Sequence, residues 1–291
     1  MHDRGRWRLA VWVVSALAAA GAARAERVAL SVSPPLVEMV VAQGGDRSFD
    51  VTLTNDGDKA FRTQGQVADM KLDAEGGVLV MSAGSGPWSL SPWVGLDGRQ
   101  MELRPGEQRT LRCRIRVPRG QRGGRYGVVL FSVQREAELG GSGMRLETRT
   151  GTVLLVTVAR TDRKSGEVEE ILVKPGEGGE VLLEAMLRNT GNVHFRASAE
   201  VLIRAADNRV IDRAKLSGGT GTVLPDGVRL FRGRWRPRRA QPGEYRAEVR
   251  FTGKGLAAVT GTAEFVLPLA FSGQAGANGD SGTARAGEPA S

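Results

Sequence analysis

From Val28 onward, apolar and polar residues alternate with a period of two, and no stretch of a dozen residues sets apolar side chains at helical spacing. A chain of this pattern buries its apolar half only as strands with one covered face, so the fold class is all-β. Leu111, Cys113, Ile115 and Val117 interleave with Arg112, Arg114 and Arg116. One side of that strand is core and the other is a basic stripe. Val51 and Leu53 interleave with Thr52 and Thr54 in the same manner, before the turn Asn55-Asp56-Gly57-Asp58. The Asn-x-Gly and Asp-Gly steps predict positive φ at that turn. Further strands are expected over 28–33, 36–41, 61–69, 100–103, 126–134 and 144–158.

The pattern repeats. Leu53, Asn55, Gly57, Phe61 and Arg62 recur at equal spacing as Leu187, Asn189, Gly191, Phe195 and Arg196. Downstream, Leu103-Arg104-Pro105-Gly106 introduces a strand ending at Pro118, followed by Gly124-Arg125-Tyr126. Leu224-Pro225-Asp226-Gly227 introduces one ending at Pro237, followed by Gly243-Glu244-Tyr245. The chain's two tyrosines thus hold the same place in each half. In immunoglobulin-like sandwiches a tyrosine at this place folds its hydroxyl back onto nearby backbone at a strand corner. The expectation is two tandem immunoglobulin-like β-sandwiches of seven or so strands each.

The polar break Thr161 to Gly166 places the boundary between them, with domain one over 26–162 and domain two over 163–271. The extra length between Asp69 and Asp97 is glycine-rich and holds Trp88 and Trp93, which predicts an insertion packed by its tryptophans. Residues 272–291, rich in Gly, Ala and Ser, form an expected disordered tail.

Arg4, Arg6 and Arg8 precede the apolar run Leu9 to Ala20, and Ala23-Arg24-Ala25 offers small residues before Glu26. This reads as a secretory signal peptide over 1–25, its apolar run too short to span a bilayer. The mature chain is expected to be exported, periplasmic first and surface or medium second, with no transmembrane segment after cleavage. Removing four arginines and one aspartate takes the net charge from +9 to +6.

One cysteine, two histidines and five per cent aromatics exclude a disulfide framework, a multi-ligand zinc site, and haem or iron–sulfur centres held by the chain's own cysteines. No cofactor and no metal is expected. His194, beside a turn, reads as a partly exposed structural histidine, and Cys113 as a small buried hydrophobe. Gly140 to Gly143 reads as flexible connection, since no helix follows it to bind an anion. Glu167, Glu169 and Glu170 read as a solvated strand edge. Glycosidase-type carboxylate pairs lie far apart in sequence and stay open on this evidence; otherwise the expectation is no enzyme.

Arg112, Arg114 and Arg116 in one half and Arg232, Arg234 and Arg236 in the other occupy equivalent strands. They are either two basic stripes for an anionic glycan or envelope polymer, or the solvated outer faces of two sheets. Export argues against a nucleic-acid partner.

The order and punctuation of 37–41, 49–55, 101–112, 126–133 and 147–152 resemble the N-terminal domain of the PapD-like periplasmic pilus-assembly chaperones. The second half resembles generic bacterial immunoglobulin-like modules. The resemblance implies donor-strand complementation, in which one strand lends apolar side chains to an incomplete subunit sandwich. Carried over by position, the lending residues are Leu139, Met144 and Leu146. It also implies an arginine and a lysine that anchor a subunit carboxylate. Those places fall on Met39 and Gly151, with Arg149 the nearest substitute. The implied partner is a pilus or other envelope protein subunit, paired along Met144 to Thr148.

Overall fold

A computed structural model describes residues 29–139, 142–238 and 240–268, with backbone alone for 135–139 and 142–145. The expected signal peptide and tail lie outside the described residues. The first sandwich comprises β1 (Leu30–Ser33), β2 (Leu36–Val41), β3 (Asp46–Asn55), β4 (Phe61–Leu72), β5 (Val78–Met81), β6 (Val94–Leu96), β7 (Gln100–Leu103), β8 (Gln108–Arg116), β9 (Gly124–Leu139) and β10 (Ser142–Val158). One sheet runs β1-β3-β8-β6. The other runs β2-β10-β9-β4-β5, with β7 also against β4, and β2 lies parallel to β10. Leu53, Leu111, Cys113 and Ile115 from one sheet meet Phe61, Phe131, Leu154 and Val156 from the other in a common core. The alternation read from the sequence is this inward row.

The second sandwich comprises β11 (Gly166–Pro175), β12 (Val181–Asn189), β13 (Phe195–Arg196), β14 (Ser198–Ala205), β15 (Val210–Leu216), β16 (Thr222–Val223), β17 (Val228–Trp235), β18 (Gly243–Gly253) and β19 (Leu256–Leu267). Its larger sheets run β11-β12-β17 and β15-β14-β18-β19. Every second residue of β12, from Val181 to Asn189, is buried, and Phe231, Phe251 and Trp235 fill the space opposite. Among the described residues no helix is long and apolar enough to cross a membrane.

The repeat has a physical cause that differs from the expected one. Gly57 and Gly191 do not take positive φ. The working group is the asparagine, fully buried in both halves. Asn55 donates through Nδ2 to the carbonyls of Lys59 (2.7 Å) and Leu103 (3.1 Å), and its Oδ1 accepts from Gly57 N (2.9 Å). Asn189 repeats the set with Val193 (2.8 Å), Val223 (2.9 Å) and Gly191 N (2.8 Å). One side chain thereby ties a strand end to two loops, satisfying backbone groups that burial would otherwise leave unpaired. The backbone of Asn55 bonds Gly106 and Glu107, and that of Asn189 bonds Asp226 and Gly227. Leu103 is therefore equivalent to Val223, one residue away from the match suggested by sequence. Gly106 and Asp226, both with positive φ, share the turn.

The stretch between Asp69 and Asp97 divides into several pieces. It contributes β5, a 3-10 turn at Ser91–Trp93 and β6. Trp93 enters the first core, whereas Trp88 reaches the second sandwich, where its Nε1 donates to Asp226 Oδ2 at 2.8 Å.

Candidate functional site

The β9–β10 hairpin is longer than anything beside it. The two strands pair without interruption from Gly124↔Thr157 to Leu139↔Ser142. On one side β4 accompanies β9 only as far as Val133, and on the other β2 accompanies β10 only from Val153 to Val158. Among the described residues no strand pairs with the edge of β10 away from β9 over Ser142 to Gly151. Each residue of a strand alternates its N–H and C=O between its two neighbours, so such an edge leaves half of them unmet by protein.

The candidate partner-binding residues sit on this hairpin. Met144 stands opposite Ala137 and Leu146 opposite Arg135, while Leu139 faces Ser142 at the hairpin end. Leu146 is half-buried and Arg149 is exposed. The Arg149 guanidinium is engaged by Glu147 at 2.8 Å, which holds the Glu147 carboxyl below its ordinary range. Gly140 and Gly141 lie outside the described residues.

The two places where the family resemblance puts a carboxylate anchor hold no charged side chain. Met39 turns toward the first core. At Gly151 a Cβ would stand 2.2 Å from the Val129 carbonyl oxygen, so backbone crowding closes the position to any side chain.

The charged residue of β2 that faces outward is Glu38, and it reaches the second sandwich. Its Oε1 lies 2.9 Å from His194 Nε2 and its Oε2 accepts from Arg196 at 2.6 Å. The Arg196 hydrogen bond holds the Glu38 carboxyl below the usual range. His194 is buried, with 5% of its side chain exposed, rather than partly exposed as expected. Burial pushes its imidazole below the ordinary value, against the opposing pull of Glu38. Its ring packs edge-on against Tyr126, and its Nδ1 has no hydrogen-bond partner among the described residues.

The tyrosines part company here. Tyr245 makes the expected corner, donating to the Gln241 carbonyl at 2.6 Å. Tyr126 instead accepts from the backbone N–H of His194 at 2.7 Å, so its hydroxyl joins the two sandwiches. Burial pushes its phenol well above the ordinary value. Gly123 and Gly124 permit the approach. A Cβ on Gly124 would meet the Tyr126 hydroxyl at 2.0 Å, and one on Gly123 would meet the Asn192 carbonyl at 2.6 Å. A second bridge lies at the β4–β5 tip, where Leu230 N donates to Ala74 O at 2.8 Å and Arg232 pairs with Glu75 at 2.8 Å. Between the bridges, Met70, Tyr126, Leu155 and Leu224 form a shared apolar cluster beside a cavity of about 180 Å³.

The arginine stripes are matched by carboxylates. Arg112 pairs with Asp50 (3.2 Å) and Arg114 with Asp46 (3.4 Å), while Arg116 stands opposite Asp46 in the ladder. Arg232 also meets Glu184 (3.1 Å), and Arg234 (3.4 Å) and Arg236 (2.6 Å) share Glu180. Arg112, Arg114 and Arg232 thus make ion pairs across neighbouring strands, Arg234 and Arg236 meet a carboxylate at the entry to β12, and the structure gives the glycan reading no support. Glu167 and Glu169 lie on the edge strand β11 against Arg188. Cys113 is buried, and desolvation pushes its thiol up to about 12.

Sequence reading missed Glu38, Arg196 and Asp226 as bridging residues. The available signal was that Tyr126 and His194 are rare residue types, but nothing in the pattern joins them.

No protein-family model matches the chain, and no curated protein matches it in sequence. Among solved structures it is similar to the class 5 fimbriae chaperone CfaA, at 8% identity over 83% of this chain and 100% of that one, with a TM-score of 0.42. It is similar also to the CsuC–CsuE chaperone–tip adhesion subunit pre-assembly complex from archaic chaperone-usher Csu pili of Acinetobacter baumannii, at 11% identity over 81% and 98%, TM-score 0.41. The CupB2 chaperone of Pseudomonas aeruginosa matches at 14% over 81% and 100%, TM-score 0.33. These are likenesses of overall architecture, and no residue of this chain takes a role from them.

Proposed function

We propose that the chain is an exported, non-enzymatic, chaperone-like protein that binds a pilus or other envelope protein subunit by strand pairing along β10, most naturally in the periplasm. The observation that supports this reading is the edge of β10 from Ser142 to Gly151 that no strand covers among the described residues, on a hairpin whose two strands form sixteen ladder pairs from Gly124↔Thr157 to Leu139↔Ser142. Main-chain hydrogen bonds along such an edge supply affinity, and the alternating apolar residues Met144 and Leu146 supply selectivity. An incoming strand continues the line of β2 along β10. It ends against Pro34 and Pro35, whose carbonyls already bond Thr152 and Val153.

The test places a photo-crosslinking residue at position 147 of the tagged protein and recovers adducts from the native envelope. The expected adduct maps to one extended, alternating segment of a single β-rich protein. Met144→Asp with Leu146→Asp should abolish it while leaving the melting temperature unchanged. Adducts scattered over many proteins, or an adduct that survives the double substitution, would refute the reading.

A further inference from the structure

The opposite end of the same sheet carries a second edge of different chemistry. Among the described residues β5 pairs with β4 alone, in the register Asp69↔Met81 to Leu72↔Val78. Val78, Leu79 and Val80 are 44%, 49% and 47% exposed, three consecutive members of the short set of exposed large hydrophobics among the described residues. Protein edges are ordinarily blunted by charge, proline or a covering element. The edge strand β11 carries Glu167, Glu169 and Glu170, and the edge strand β15 carries Asp212, Arg213 and Lys215. β5 carries none of these. Gly76 to Leu96 contains no charged residue at all, in a chain one quarter charged.

The strand is also held firmly. At the hairpin tip, Ala74 and Glu75 are fixed to Leu230 and Arg232, and the buried Arg229 guanidinium fills the space a side chain at Gly76 would need.

We propose that β5 is a self-association edge, pairing antiparallel with β5 of a second copy across a two-fold axis. The charge pattern selects this occupant. In the antiparallel arrangement Val78 faces Met81 and Leu79 faces Val80, apolar against apolar. The acidic flank Asp73 and Glu75 of each copy lies toward the uncharged stretch 82–86 of the other, so no like charges meet. A symmetric contact of this kind closes on itself and leaves the β10 edges free. Four paired residues bury little area, so the dimer is weak and concentration-dependent.

Sedimentation velocity on the full mature chain, from about 1 to 200 µM, is the test. The expected result is a monomer–dimer equilibrium with a midpoint in the range of tens of micromolar. Leu79→Lys should shift that midpoint at least tenfold with an unchanged circular dichroism spectrum. Val266→Lys, at the exposed large hydrophobic of the edge strand β19, should leave it unaltered. Amide exchange at 78–81 should slow as concentration rises. A wild-type chain monomeric throughout, or a dimer indifferent to Leu79→Lys, overturns the proposal. So does a Leu79→Lys monomer that loses capture of a foreign protein by a monomeric wild type, which assigns the edge to that partner.

Discussion

Tyr126→Phe and Tyr245→Phe remove the same hydroxyl from equivalent places in the two halves, and the structure predicts different costs. Tyr126 is buried and its oxygen is the acceptor for the buried His194 N–H at 2.7 Å. Deleting it strands a buried donor, which costs about 1–3 kcal/mol. Tyr245 donates to the carbonyl of the exposed residue Gln241, which water can satisfy after the change. That loss should stay near 1 kcal/mol, the net value of an ordinary hydrogen bond. At roughly 2–4 °C per kcal/mol for a chain of this size, Tyr126→Phe should lower the melting midpoint by about 2–12 °C. Its signature is separation of the sandwiches. Amide exchange over 192–196 should accelerate at denaturant concentrations where both cores remain protected, and Tyr245→Phe should leave that segment slow. Equal losses from the two substitutions, or unchanged exchange at His194 in Tyr126→Phe, would refute the assignment of Tyr126 to the boundary.

The neighbouring imidazole gives a pH dependence of defined sign. Burial depresses the His194 value, so the folded chain binds fewer protons than the unfolded one. Its contribution is whole above about pH 6.5 and declines as pH falls below that. Glu38, Arg196 and Lys164 are the charges around it. Urea midpoints should be flat from pH 8 to 7 and fall toward pH 5, and His194→Gln should flatten the slope. Asn55→Ala and Asn189→Ala each orphan three backbone partners, and each should cost about 3 kcal/mol or more in urea titrations. Cys113, its thiol pushed up to about 12, should resist thiol reagents at pH 8 until the chain unfolds. Arg149→Ala should weaken partner capture less than the Met144 and Leu146 double substitution, because its guanidinium is already occupied by Glu147.

The core was legible in the sequence because strands bury alternate residues, and Leu111, Cys113 and Ile115 can face only one way. The repeat was legible because the same buried asparagine does the same work twice. What escaped was everything that depends on where one sandwich meets the other. Glu38 follows Val37 and precedes Met39 as any outward strand residue would, and only the packing shows that its carboxylate meets His194 and Arg196, more than 150 positions away. The arginine rows were seen but not their carboxylates, because cross-strand partners such as Arg112 and Asp50 are set by register, which turn geometry and packing decide. The turn glycines were misassigned for a related reason. A side-chain hydrogen bond from Asn55 shapes that turn without the backbone leaving its ordinary region.

The same strand carries both the lock between the sandwiches and the start of the open edge. β2 pairs with β10 from Leu36↔Val153 to Val41↔Val158, and among the described residues that edge of β10 has no neighbour before Val153. Glu38 lies two residues inside this limit, opposite Leu155, and binds the second sandwich there. A partner strand laid along β10 therefore ends close to a fixed boundary between the sandwiches. The boundary is held by Tyr126, His194, Glu38 and Arg196 on one side and by the β4–β5 tip on the other. Under the proposed function this fixed boundary lowers the ordering cost of binding, since the wall at the end of the partner strand is in place before the partner arrives. The specificity then resides in the apolar alternation of the hairpin more than in Arg149, whose guanidinium is already engaged by Glu147.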